Sequence, residues 1–280
     1  MSGILLKRVL QMTAVLGGFI AITANAANVA VVSNSYFAET AADYNSRYLS
    51  HTFTGIDANN ALTLGDLAGF DVVLLFEDGN FGNSNAIGDV VAEFANTRRP
   101  VVLGTFYSQD RSDSIGSGWG DLEDLDPNTT DGVGTSYDGD VLDNTSIVPH
   151  PLTAGVSSLF SDSGTGYSGG NQAKPGSIVL AWWSNDNALG NPDPAIAYRI
   201  TGNACVTHVG IIPHYDIIDD FGVDFGGDYF QLWGNAMDFA ASGCEGVFNI
   251  EPVPTMNSWA IILLTLMLGV IGVATLPRQV

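Results

Sequence analysis

The groups in this chain that could carry acid–base or nucleophilic chemistry are few: four histidines and a handful of hydroxyls near the ends of apolar runs. Thr105 and Ser108 follow the run Pro100–Phe106. A hydroxyl there becomes a nucleophile only with a base in hydrogen-bond reach. His214 is the candidate base, since it and His208 sit in or just after the last apolar run. A Thr105–His214 or Ser108–His214 pair would make a secreted hydrolase, and spacing alone leaves open whether the groups meet. His150 precedes Pro151 and reads as a turn residue, while His208 reads as alternating out of a strand.

Two sets of residues could hold a cation. His208 and His214 with Asp216, Asp219 and Asp220 combine imidazole and carboxylate, which suits zinc or another transition ion. Their spacing matches no zinc signature. The stretch Asp121–Asn128 with Asp131, Asp138, Asp140 and Asp143 offers several oxygens on one loop, as calcium requires. Asp124, Asp126 and Asp131 are its calcium candidates, although Thr129 stands where an EF-hand needs glycine. The competing reading is a solvated acidic loop. Trp119, Trp182, Trp183 and Trp233 lie beside Asp and Asn, an arrangement that could hold carbohydrate. Core packing is the alternative, and it suits Trp233 and one of the adjacent pair Trp182/Trp183, which face opposite sides of a strand.

The chain carries 30 acidic and 9 basic residues, a net charge of -21. Such a surface repels phosphate backbones, so nucleic acid is excluded as a partner. Cys205 and Cys244 are the only cysteines. In an exported chain they predict one disulfide, closing a loop of roughly 40 residues and stabilising by roughly 3–4 kcal/mol; two free buried thiols are the alternative.

Apolar, β-branched runs at Asn28–Ser33, Phe70–Phe76 and Pro100–Phe106 read as buried strands, with a weaker one at His51–Ile56. Helical spacing covers Ala38–Leu49, Ser84–Asn96 and Tyr229–Ala241, and Leu62–Leu67 reads as a short helix. The alternation predicts an α/β fold with a doubly wound, mostly parallel sheet. Periodicity vanishes over 107–146, a Gly/Asp-rich loop, and returns in three strands at Ser177–Trp183, Ala195–Ile200 and Cys205–Ile212.

Both ends have a different character. Lys7 and Arg8, the apolar stretch Val9–Ile22 and Ala24-Asn25-Ala26 read as a signal peptide over 1–26, cut by signal peptidase; an uncleaved N-terminal anchor helix is the alternative. A domain over 27–250 follows. The segment 251–280 runs through a Pro-containing linker into the uncharged stretch Ala260–Leu276, a candidate transmembrane helix, with Trp259 suited to the lipid–water boundary.

That tail resembles the IPTL-type C-terminal protein-sorting domain of Gram-negative bacteria. Val253, Pro254, Thr255, Met256 and Trp259 occupy the motif positions, with Val for Ile, Met for Leu and Ala260 for Gly; Arg278 is the whole of its basic end. The resemblance implies cleavage by an exosortase-like membrane protease and delivery to the cell surface, in an exopolysaccharide or biofilm setting. A plain inner-membrane anchor facing the periplasm is the alternative.

The central region is similar to the class I glutamine-amidotransferase-like superfamily, including its ThuA-like members. The strand–helix alternation carries this, with the turn His150-Pro151-Leu152-Thr153-Ala154-Gly155 and the closing helix containing Asn235-Ala236-Met237-Asp238-Phe239-Ala240. The resemblance implies a flavodoxin-like fold. It also implies a cysteine nucleophile after Leu103-Gly104, where this chain has Thr105, so amidotransferase activity is not expected. The sequence therefore predicts an exported, non-catalytic acidic α/β protein, with a secreted hydrolase and a carbohydrate-binding module as the competing functions.

Overall fold

The computed structural model describes residues 26–78, 81–114, 116–130, 139–161, 170–214 and 225–245. The first three apolar runs form β1 (Asn28–Ser33), β3 (Val72–Leu75) and β4 (Val101–Leu103), and β2 (Thr52–Asp57) lies outside β1. All of β3 and β4 is buried, and so is β1 after its first residue. That is why their sequences are continuously apolar rather than alternating. β1 pairs in parallel with both β2 and β3, and β3 in parallel with β4.

Beyond β4 the sheet stays parallel for one strand and then alternates in direction. β9 (Ile178–Asp186), β10 (Pro192–Thr201) and β11 (Ala204–Val209) complete a seven-stranded sheet of order β2-β1-β3-β4-β11-β10-β9. β11 lies parallel to β4, but β10 pairs antiparallel with both β9 and β11. The connection Gly202-Asn203 is too short for a crossover, so it forces a hairpin. Gly202 supplies the positive φ (60°) at that turn. The sheet is thus mixed, parallel at its centre and antiparallel at one edge.

Helix α1 (Phe37–Arg47) and helix α3 (Tyr229–Ala241) cover one face, where Tyr44, Trp233 and Met237 join Val29, Val31 and Leu74 in one core cluster. Helix α2 (Ser84–Asn96) covers the other, with Ile87, Val91 and Phe94 against Val73, Leu75 and Leu103. Gly88 lets the segment after α2 approach closely: a Cβ there would lie 1.7 Å from the Trp119 carbonyl oxygen.

Three local expectations change. Leu62–Leu67 is a run of tight turns rather than a helix, with Leu67 N–H donating to the Leu64 carbonyl and the Thr63 hydroxyl to Asp66. The 107–146 region contains 3-10 turns at Tyr107–Asp110 and Gly120–Asp124, and strands β5 (Asn128–Thr130) and β6 (Asp140–Val141). β5 pairs with β8 (Asn171–Ala173), and β6 with β7 (Leu159–Ser161), which also pairs with β12 (Phe225–Gly227). His208 does not alternate out: β11 is covered on both faces and the residue is 2% exposed.

Residues 1–25 of the expected signal peptide and the tail 246–280, with Val253, Pro254, Thr255, Met256, Trp259 and the apolar run after it, lie outside the described residues. Among those described, no helix is long and apolar enough to cross a membrane.

Candidate functional site

In an open α/β sheet, ligands bind beyond the strand C-termini where strand order reverses. Here that point is between β1 and β3. The chain turns sharply after β1: Tyr36 adopts the left-handed region (φ 53°) before α1, an uncommon conformation for a bulky residue. Its ring centroid lies 4.7 Å from that of His214, beyond β11. Asn34 ties the two strand ends together, its Oδ1 accepting from Asp78 N–H at 3.0 Å and its carbonyl from Asn59 Nδ2. Burial raises the pKa of the half-buried Asp78, and the charge of nearby His214 pulls it back. The loop after β11 is held from the helix side, where Tyr44 Oη donates to the Pro213 carbonyl and Tyr229 Oη to that of Ile212. Pro213 also closes over Gly104, where a Cβ would come within 2.8 Å of Cδ.

Beneath this crevice lies a pair of carboxyls that the sequence reading did not single out. Glu77 is wholly buried at the end of β3, and Asp110 is 1% exposed in the turn after β4. Burial pushes Glu77 well above the carboxylate range, and the charge of Asp110 adds to it. Asp110 is raised by burial and pulled back by the hydrogen bond from Phe81 N–H (2.8 Å). The arrangement sets a buried acid near a second carboxyl; among the described residues neither Glu77 oxygen has a hydrogen-bond partner, and burial with the Asp110 charge favours the protonated form of Glu77. The signal for it was available: an acid directly following the fully apolar run Val72–Phe76 has no strand position left in which to reach water.

The two candidate nucleophiles have different surroundings. Ser108 donates to Asn171 Oδ1 at 2.9 Å, inside a buried network in which Asn171 Nδ2 donates to Asp193. Thr105 Oγ1 is buried with no hydrogen-bond partner among the described residues. Neither hydroxyl is hydrogen-bonded to the His214 ring, which the strand geometry sets against Tyr36 instead. His208 is held neutral, its pKa lowered to about 4 by burial and by the charge of Arg111.

Of the calcium candidates, Asp124 and Asp126 lie among the described residues and have different surroundings. Asp126 is buried, and its oxygens are taken by the chain's own cations: one by Arg111, the other by Lys174, with Tyr107 Oη donating at 2.9 Å. Arg111 also pairs with Asp113 at 2.9 Å; burial works to lower its pKa, and the surrounding carboxylates outweigh that and raise it. Asp124 is exposed, and its carbonyl accepts from Arg199. Asp131 and the residues Asp216, Asp219 and Asp220 lie outside the described residues. Among the described residues no group of three or more His, Cys, Asp or Glu could hold a metal.

Aromatic exposure narrows the carbohydrate reading. Trp119 is fully buried, stacked on Tyr107 with its indole N–H donating to the Tyr107 carbonyl. Trp233 and Trp183 are core residues, which leaves Trp182 half-buried. Cys205 and Cys244 are joined in a disulfide, with Cα atoms 6.4 Å apart, tying the end of α3 to β11.

The two short motifs of the central region prove to be halves of one contact. His150 caps the 3-10 turn Pro151–Thr153, its Nδ1 accepting from Leu152 N–H at 3.2 Å. Asn235 of α3 then donates to the carbonyls of Leu152 and Ala154. Gly155, at φ 72°, turns the chain away. The motifs fix a helix to the sheet and place no group in the crevice.

No family model and no curated protein matches the chain. Among solved structures it is similar to a cytoplasmic protein from Salmonella typhimurium LT2, at 14% identity and TM-score 0.52, covering 75% of this chain and 98% of that one. At that identity the likeness shows the α/β fold alone. A ThuA-like protein from Bacteroides uniformis matches at 10% identity and TM-score 0.44, covering 76% of this chain and 88% of that one. A β-galactosidase from Rahnella sp. R3 matches at 14% identity and TM-score 0.42, over 78% of this chain but 31% of its own.

Proposed function

We propose that the chain is an exported, acidic α/β protein of the envelope or cell surface, with a binding or structural role rather than a hydrolytic one. The observation that carries export is the Cys205–Cys244 disulfide, because such bonds persist in oxidising compartments and are rare in a mesophile's cytosol. The leader over 1–26 and the sorting-type tail at Val253–Trp259 agree with it. What supports the non-catalytic reading is the end of β4, where the hydroxyl of Ser108 is committed to Asn171. A setting among exopolysaccharides is what the tail's resemblance suggests for the role.

Mass spectrometry of the protein from fractionated Gram-negative cells tests the itinerary. A mature N-terminus at Ala27, an oxidised cysteine pair and a C-terminus near Thr255 are expected. An intact Val280 in the membrane fraction replaces sorting with anchoring. An uncleaved Met1 with reduced cysteines in the cytosol refutes export.

A further inference from the structure

Strands β5 and β8 bring two side chains of opposite charge together in a dry place. The strands pair antiparallel with Asn128 opposite Ala173, and the Lys174 N–H donates to the Pro127 carbonyl one step further along. Asp126 and Lys174 therefore flank the end of one ladder, which fixes their backbones. Lys174 Nζ is in direct contact with Asp126 Oδ1, and the two side chains are only 12% and 1% exposed. The other carboxyl oxygen, Oδ2, accepts from Tyr107 Oη at 2.9 Å and from the Arg111 guanidinium. An amine held against a carboxyl, with two donors already on the carboxyl oxygen, has the parts that amide formation needs.

We infer that Lys174 and Asp126 join covalently, through an amide between Nζ and Cγ, once folding has brought them together. The first step is a proton transfer within the pair, from the Nζ ammonium to Oδ1. A dry site disfavours both charges. Burial accordingly lowers the pKa of Lys174 and raises that of Asp126, and the charges of Arg111 and Arg199 add to the lowering. The neutral amine then adds to Cγ, and the electron pair of the C=O bond moves onto Oδ2. Arg111 and Tyr107 Oη stabilise the charge there; burial raises the Tyr107 pKa, so the phenol keeps its proton. Collapse restores the carbonyl at Oδ2, expels Oδ1 as water with two of the three Nζ protons, and leaves an amide N–H. No oxidant, reductant or co-reactant is needed.

The charges left behind are balanced. The bond removes one cation and one anion from a cluster that also holds Arg111, Arg199, Asp113 and Glu123. Arg111 keeps Asp113 at 2.9 Å and Glu123 at 3.7 Å, so it is not stranded. The Glu123 carbonyl, to which Lys174 Nζ already donates, remains in place to accept from the new amide N–H. The result is a covalent staple across a sequence separation of 48, in addition to the Cys205–Cys244 bond and insensitive to reductant. It holds whether or not the chain is exported.

The test is intact-mass spectrometry of the full chain, purified folded and then reduced and denatured. The parent should be lighter by one water than the sequence between its mapped termini. A peptic digest should contain a branched peptide joining the segments around Asp126 and Lys174. Lys174→Arg keeps the charge but stays protonated and cannot attack, so it should restore the full mass. A parent at its full sequence mass overturns the inference. A water loss that survives Lys174→Arg also overturns it, since that loss belongs to a succinimide at an Asp-Gly step such as Asp131-Gly132. The parent's mass and its branched peptide are read directly, so the inference stands or falls even if the variant does not fold.

Discussion

The substitution Glu77→Gln isolates the buried carboxyl pair. Glutamine keeps the volume but cannot ionise. The acid's ordinary pKa is 4.5, and burial with Asp110 raises it well above that in the folded state. Between the two values the folded protein holds a proton that the unfolded chain has released. Stability from this group is therefore fully present below pH 4.5 and is lost as pH rises toward the folded pKa. Each pH unit costs about 1.4 kcal/mol, so the loss at pH 7 can reach a ceiling of about 3.4 kcal/mol. The variant should match the parent near pH 4.5 and exceed it increasingly up to neutrality. Urea unfolding at a series of pH values, followed by the fluorescence of the buried Trp119 and Trp233, measures this directly. A variant destabilised equally at every pH, or an advantage that shrinks as pH rises, would refute the assignment of the proton to Glu77.

Three further outcomes follow from the same contacts. Asp126→Ala should cost about 3–5 kcal/mol, because it strands Arg111 and Lys174 without their shared carboxylate; a thermal melt gives the loss, and a parent protein that gains stability in millimolar calcium would show that the acidic region binds the ion after all. Removing the disulfide with Cys205→Ala/Cys244→Ala, which frees a sequence separation of 39, should cost about 4 kcal/mol by loop entropy; an unchanged urea midpoint would contradict this. Thr105→Val should be neutral or stabilise by about 1 kcal/mol, since it replaces a buried hydroxyl that has no partner by a methyl of similar shape; a loss of stability would mean that the hydroxyl is engaged.

The sheet centre was legible because its signals are local. Three continuously apolar runs and two helices at 3.6-residue spacing lie between Asn28 and Phe106, and each of these elements forms where its pattern lies. The region after Tyr107 reads from sequence only as a Gly/Asp-rich loop, because its order comes from long-range polar contacts, such as Asp126 with Lys174 and Ser108 with Asn171, which leave no periodicity. His208 was misread for a related reason. Alternation is a rule for half-exposed strands, and β11 is buried on both faces by neighbours that its own sequence does not reveal.

By itself, the sequence determined the α/β class, the acidic surface, the cysteine pair and the absence of a cysteine at the end of β4, because each depends on residue type or on neighbours a few positions apart. Only the tertiary structure decided which charges meet. Parallel pairing of β3 with β4 brings Glu77 under Asp110, and the fold delivers Arg111 and Lys174 to Asp126 before any outside cation can reach it. Burial then turns those meetings into energies, because a carboxyl removed from water must find a proton or a cation within the fold.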